Sequence, residues 1–483
     1  MADKQSNKFK LFIENFLVYG VGGVISKIIP LIMLPIITYL LPDTESFGLS
    51  DLSNTIISFA SAFAIMGMYD AMYRLFFERE DNEFKKKVCS SAFCFTIITS
   101  IIVTVIMVLG KDIIAKLFLK DEKYSYLVIV SAMATLVSAT NSIISAPTRM
   151  QNNRKLYLLA NTIGPVMAYA IAIPLILYGY YIIALPLASL ISGIIIEFSF
   201  CFLNRNWFSF KLIDRKILKE LLRIGIPLLP NFLIFWVFNS SDKVMITNII
   251  DVGASGVYSV GAKLGHVSQL IYTAFAGGWQ FFAFSTMKEK NQVESNSKVF
   301  EYLGVISFVA AAFVFPFSKS IFEIFFADEY LEGYMVAPYL FLAPLMQMLF
   351  QVIGNQFLVI KMTWPSFFIL FSGAIVNVIL NLVLIPKIGI EGAAIATLLG
   401  YIFSDIICCI VLLKMKLMII SKKFIFSSII MSIYIVSWRF LFFDKLLIGL
   451  LIAITISSIM GYLYKKDLFM LIDIIKRRFA SKR

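Results

Sequence analysis

Four basic side chains stand in stretches that are otherwise apolar. Lys27 interrupts GGVISKIIPLIMLP (residues 22–35), with Pro30 and Pro35 just beyond it. Lys243 lies in NSSDKVMI (residues 239–246), and Lys263 and His266 fall three residues apart, on one face of a helix. A lysine at the centre of a membrane helix costs about 2.5–3.5 kcal/mol on insertion, so such residues face a protein interior or water. Gathered at one level, ammonium groups would hold an anion such as a pyrophosphate. The competing reading has each lysine neutralised by a carboxylate that ties helices together, and Asp242, beside Lys243, keeps that alternative open. Lys27 has no acid in its own segment nearer than Glu14, which favours a cavity wall.

Other charges divide by depth. Arg74 in GMYDAMYRLF and Arg149 in SAPTRMQNNRK are expected at interface depth, either snorkelling to headgroups or meeting a lipid phosphate at an inner-side access point. Asp242, Glu197, Asp405 and Asp70 are the acids expected to take a proton or Na⁺ if one drives a cycle. No cofactor or metal is expected: there is one histidine, and the five cysteines sit in apolar runs without ligand spacing. GVYSVGAKL (residues 256–264) imitates a phosphate-binding loop but lacks the Ser/Thr after its lysine and any preceding strand. With no nucleophile elbow or paired-carboxylate motif, the chain reads as a non-enzyme, its work driven by a gradient, a partner or substrate flux.

What positions these residues is a membrane. Of 483 residues 59% are hydrophobic and 15% charged, against about 25% charged in soluble domains; mean hydropathy is +0.85. Fourteen stretches approach the ~20 residues that cross hydrocarbon. They are 12–41, 48–69, 88–109, 124–147, 157–178, 180–202, 225–247, 256–285, 299–317, 334–360, 364–385, 389–413, 424–442 and 445–464. With both termini cytoplasmic, 32 of the 43 lysines and arginines fall on the inner side and 7 in outer loops; Lys27, Lys243, Lys263 and Arg439 lie within spans. That is the positive-inside pattern. It accounts for most of the net charge of +13 without nucleic acid as a partner.

The expected fold is all-α and membrane-integral. An N-lobe of six spans (1–204) is followed by a cytoplasmic linker (205–224), a C-lobe of six spans (225–414), two further helices (415–464) and a basic tail (465–483) on the inner leaflet. Weak repeats support two parallel halves about a pseudo-two-fold along the membrane normal. FGLSDL (47–52) and GVYSVGAKL stand about 208 residues apart, as do the junctions YGYYIIALPLASLISG (178–193) and IGIEGAAIATLLG (388–400) at about 210.

The 6+6+2 arrangement resembles the polysaccharide-transporter branch of the multidrug/oligosaccharidyl-lipid/polysaccharide exporter superfamily. The local matches are PLLPNFLIFWVFNSSDKVMI, GVYSVGAKL, GMYDAMYRLF and IGIEGAAIATLLG, the Asp-Lys pair followed by Gly256-x-Tyr258 being the most specific. The resemblance implies a flippase in the bacterial cytoplasmic membrane. It would carry an undecaprenyl-pyrophosphate-linked oligosaccharide to the outer leaflet for O-antigen, capsule or exopolysaccharide, alongside glycosyltransferases and a polymerase. A cation-coupled drug exporter of the same superfamily is the alternative, and a membrane glycan polymerase or ligase a more distant one.

Overall fold

The computed structural model describes residues 27–467, apart from 286, 288 and 363, and residue 469. The beginning of the first span and most of the basic tail lie outside the described residues. The described chain is helical throughout, with no strand. In the first lobe run α1 (Lys27–Leu40), α2 (Thr44–Ile65), α3 (Met68–Phe76), α4 (Asn82–Leu109), α5 (Lys111–Leu119), α6 (Ser125–Met150), α7 (Arg154–Leu177) and α8 (Tyr181–Asn204). The connecting helix α9 (Arg215–Gly225) precedes α10 (Leu229–Trp236), α11 (Asp242–Ile249), α12 (Val252–Gly265), α13 (Ser268–Ser285), α14 (Gln292–Phe325), α15 (Ala337–Val359) and α16 (Trp364–Lys414). The last two are α17 (Lys422–Ser437) and α18 (Leu446–Leu463).

Among the described residues ten helical segments are long and apolar enough to cross a membrane, or eleven when α2 and α3, bent by 47°, count as one. The fourteen expected crossings are consistent with this. At 51 residues α16 is twice the needed length, and it breaks at Ile388 and Gly389, where the backbone leaves helical geometry. The other expected crossings fall on α12 with α13, interrupted at His266–Val267, and on α1, a shorter apolar helix.

Backbone breaks follow residue type. Met66 and Gly67 turn left-handed between α2 and α3 (φ 47° and 69°). Gly67 there lies against Gly225, so a Cβ would run into that residue's carbonyl. Asp43 and Asp251 cap α2 and α12, their side chains accepting from the amides of Ser46 and Ala254. A π turn at Val237–Ser241 immediately precedes Asp242, a device that re-aims the following side chains.

The lobes meet mainly along α2 and α12, with α5 against α11 beside them; α7 and α8 make no comparable packing against α13 or α15. Gly48 and Gly256 let the two main helices touch backbone to backbone: a Cβ on either would strike the carbonyl of Val252 or Thr44. Tyr39 donates to the Phe326 carbonyl and Tyr330 to that of Asp43, both at 3.1 Å, and Lys120 to that of Ile250 at 2.6 Å. All these bonds join the lobes at the end poor in basic residues. The interlobe space is therefore shut at that end.

Helix α17 is held to the second lobe by charge. Arg439, just past its end, pairs with Glu391 on α16 at 2.6 Å, and Tyr339 donates to the same carboxylate at 3.0 Å. Glu391 is only 2% exposed. Arg439→Met should leave it without a cation, at a cost in the range of about 1–3 kcal/mol for an under-satisfied buried group, more for a charged one. The expected result is a lower melting temperature in detergent, recovered when Glu391→Gln is added.

Candidate functional site

Asp51, in the middle of α2, is the centre of the charged constellation. It is 4% exposed, and its carboxylate receives Lys243 of α11 at 2.7 Å and Lys263 of α12 at 2.8 Å. Ser259, one turn before Lys263, donates to it at 2.8 Å. One acid of the first lobe thus bridges two lysines of the second. The two lysines differ in surroundings. Lys243 has a side chain 15% exposed and lines neither hollow described below. Lys263 is 41% exposed, and its ammonium lies 4.5 Å above the Phe47 ring.

Lys27, the first described residue of α1, donates to Gln269 on α13 at 3.1 Å, and among the described residues no carboxylate pairs with it. Lys27, Lys263 and His266 line one hollow of about 240 Å³ with Pro30 and Gln269. His266 sits at the α12–α13 interruption and lines the same hollow. A larger hollow of about 460 Å³ adjoins it, sharing Pro30 and Lys263 and extending among α2, α6, α7 and α8.

The structure brings together three of the four expected cationic residues and turns the fourth, Lys243, toward Asp51. Asp51 belongs to the repeat stretch FGLSDL, and nothing local assigns it this role: its partners are 192 and 212 residues away, and no local pattern couples them. Asp242 does not pair with the Lys243 side chain. It is buried, accepts from the Lys243 amide at 2.9 Å and from the Tyr258 hydroxyl, and so faces α12.

The other expected residues lie apart. Arg149 is exposed at the basic end, donates to the Tyr69 hydroxyl at 3.1 Å and lies 6.0 and 5.8 Å from the Tyr73 and Tyr157 rings. Arg74 and Asp70 are exposed on α3 near the same end. Glu197 is half-buried on α8 beside Thr140. Asp405 is 7% exposed, with neither oxygen hydrogen-bonded, against an apolar cleft of about 500 Å³ between α16 and α17. Among the described residues no cluster of three His, Cys, Asp or Glu could hold a metal ion.

Two lobes of helices, shut at one end over a cation-lined hollow, define a class of membrane protein. The solved lipid II flippase MurJ, in an inward closed conformation, is similar with a TM-score of 0.69 at 16% identity, over 94% of this chain and 100% of that one. A multidrug resistance MATE transporter in an inward-facing conformation is similar with a TM-score of 0.63 at 15% identity, over 81% and 94%. At such identities the likeness is one of fold. An uncharacterized membrane protein of Methanocaldococcus jannaschii is 30% identical over 202 residues, spanning 39% of this chain and 38% of that relative. Residues 37–336 match the family model described as "Polysaccharide biosynthesis protein". The chain belongs to that family.

Proposed function

We propose that the protein is a flippase. It carries an undecaprenyl-pyrophosphate-linked oligosaccharide from the inner to the outer leaflet of the bacterial cytoplasmic membrane, and so serves O-antigen, capsule or exopolysaccharide assembly. The observation that carries this reading is the pairing of Lys27 and Lys263, from opposite lobes, around one hollow, with Lys27 free of any carboxylate among the described residues. Transfer of a pyrophosphate into that hollow replaces lost hydration with ammonium donors, while the polyprenyl tail stays in lipid. Glycosyltransferases would supply the substrate and a polymerase would take it up.

Alternating access follows from the Asp51 bridge. Separation of the lobes at the closed end requires both lysines to leave Asp51. An arriving anion offers Lys263 another partner, and the bridge weakens when cargo is present. A conformational change needs such a difference in binding between its two states. Any H⁺ or Na⁺ coupling is assigned to Asp242 in preference to Asp70, Glu197 or Asp405. Asp242 joins Tyr258, Thr397, Asn377 and Asn381 in a run of hydrogen-bonded oxygen and amide groups, the donor chemistry a hard cation needs.

Lys27→Ala should abolish surface glycan while the protein remains in the membrane, and Lys27→Arg should restore part of it, since the charge returns with a different fork of donors. Immunoblotting of membranes and of surface polysaccharide checks both. Deletion of the gene should accumulate lipid-linked repeat units on the cytoplasmic side. Unchanged lipid-linked pools with heightened dye sensitivity would instead favour a drug exporter.

A further inference from the structure

The larger hollow has a composition of its own. Its walls are formed by the first lobe, from Asn54, Asn141, Asn161, Tyr169, Ser189 and Ser192 among apolar neighbours, and its volume of about 460 Å³ falls within the ~300–1,000 Å³ of small-ligand sites. Lys263 is the one charged residue along it, already engaged with Asp51 at its rim. Asn54, in the middle of α2, is exposed there although α2 is an apolar helix. Asn161 has its amide nitrogen committed to the Tyr157 carbonyl, which leaves its side-chain oxygen as an acceptor. Asn141 has an oxygen without a hydrogen-bond partner. Ser192 is spent on the Gly164 carbonyl at 2.8 Å, so it braces α8 against α7 and fixes the wall.

Carboxamides set within hydrocarbon are costly unless they are satisfied. Each carboxamide offers both a donor and an acceptor, the complement of a vicinal pair of sugar hydroxyls or of an acetamido group. With Lys263 given over to the diphosphate, a fixed carboxylate on a sugar would find no free cation here. We infer that this hollow seats the phosphate-proximal sugar of the cargo, and that the sugar is an uncharged hexose or acetamidohexose. Its diphosphate would occupy the adjoining hollow at Lys27 and Lys263. The inference rests on the flippase reading and adds a chemical class of sugar to it.

The test uses the full chain in lipid nanodiscs and three probes: a short polyprenyl diphosphate, the same lipid carrying one N-acetylglucosaminyl group, and the same carrying one glucuronyl group. Intrinsic tryptophan fluorescence reads the affinities. The N-acetylglucosaminyl lipid should bind about tenfold more tightly than the bare diphosphate, the scale of discrimination that unpaired polar groups impose, and the glucuronyl lipid no more tightly than the bare one. Asn54→Leu and Asn161→Leu should erase the tenfold preference while bare-diphosphate affinity stays within about twofold, which shows that the fold is intact. Equal wild-type affinity for the bare and N-acetylglucosaminyl lipids, or a preference that survives both substitutions, would overturn the sugar seat and leave the flippase reading standing. Tighter binding of the glucuronyl lipid than of the bare one would overturn the assignment to an uncharged sugar. Failure of wild type to bind any of the three would overturn the flippase reading together with the seat.

Discussion

Asp51→Asn should remove most of the folded protein from the membrane, whereas Lys263→Met should leave its abundance near wild type and abolish transport. The asymmetry comes from burial. Asp51 is 4% exposed and Lys243 has a side chain 15% exposed, so neutralising the acid strands a buried ammonium; breaking such a pair from one side costs about 3–5 kcal/mol. Lys263 is 41% exposed, and an exposed pair contributes only about 0–1 kcal/mol. Losing Lys263 therefore affects cargo more than folding. Combining Asp51→Asn with Lys243→Met should recover abundance, because the uncompensated charge has gone, yet leave surface glycan absent. Fluorescence size-exclusion chromatography of membrane extracts reads abundance, and glycan immunoblots read transport. If Asp51→Asn alone reaches the membrane at wild-type levels, the bridge does not organise the fold.

Gly256→Leu should hold the lobes apart at the end now shut. The Cβ position at Gly256 is occupied by the Thr44 backbone carbonyl, and at Gly48 by that of Val252, so neither neighbour can move aside as a flexible side chain would. Overpacking in a tight interior costs about 1–3 kcal/mol, and separation of α2 from α12 relieves it at the expense of the Asp51 bridges and the Tyr330–Asp43 bond. A cysteine introduced at Ser50, which lines the larger hollow, reports the change in a cysteine-free background. A membrane-impermeant maleimide should label it from outside the cell in the Gly256→Leu protein and not in the parent, with transport lost. Identical labelling of the two proteins would mean that the glycine contact does not close this end.

The amino-acid sequence determined the solvent, the element type and the span limits, because each is a local quantity. Apolar length sets a crossing, and the 51-residue α16 still resolves into the two expected spans, since Gly389 supplies the positive φ that a helix cannot. Gly256-x-Tyr258, read as part of a family motif, places a glycine against Thr44 and a phenol on Asp242. The sequence also exposed the cost of Lys27, Lys243, Lys263 and His266, since burial of charge in hydrocarbon is unfavourable wherever it occurs.

Only the tertiary structure decided which of these charges share water and which share a carboxylate. Asp51 meets Lys243 and Lys263 across a lobe boundary, and pairing energies act over a few ångströms in space, irrespective of separation along the chain. The same holds for Arg439, counted within a span and found on Glu391, and for the asparagines of the larger hollow, which belong to three helices and carry no common motif. Helix packing alone makes neighbours of them, and so the cation pair and the polar chamber beside it became visible only once the lobes were assembled.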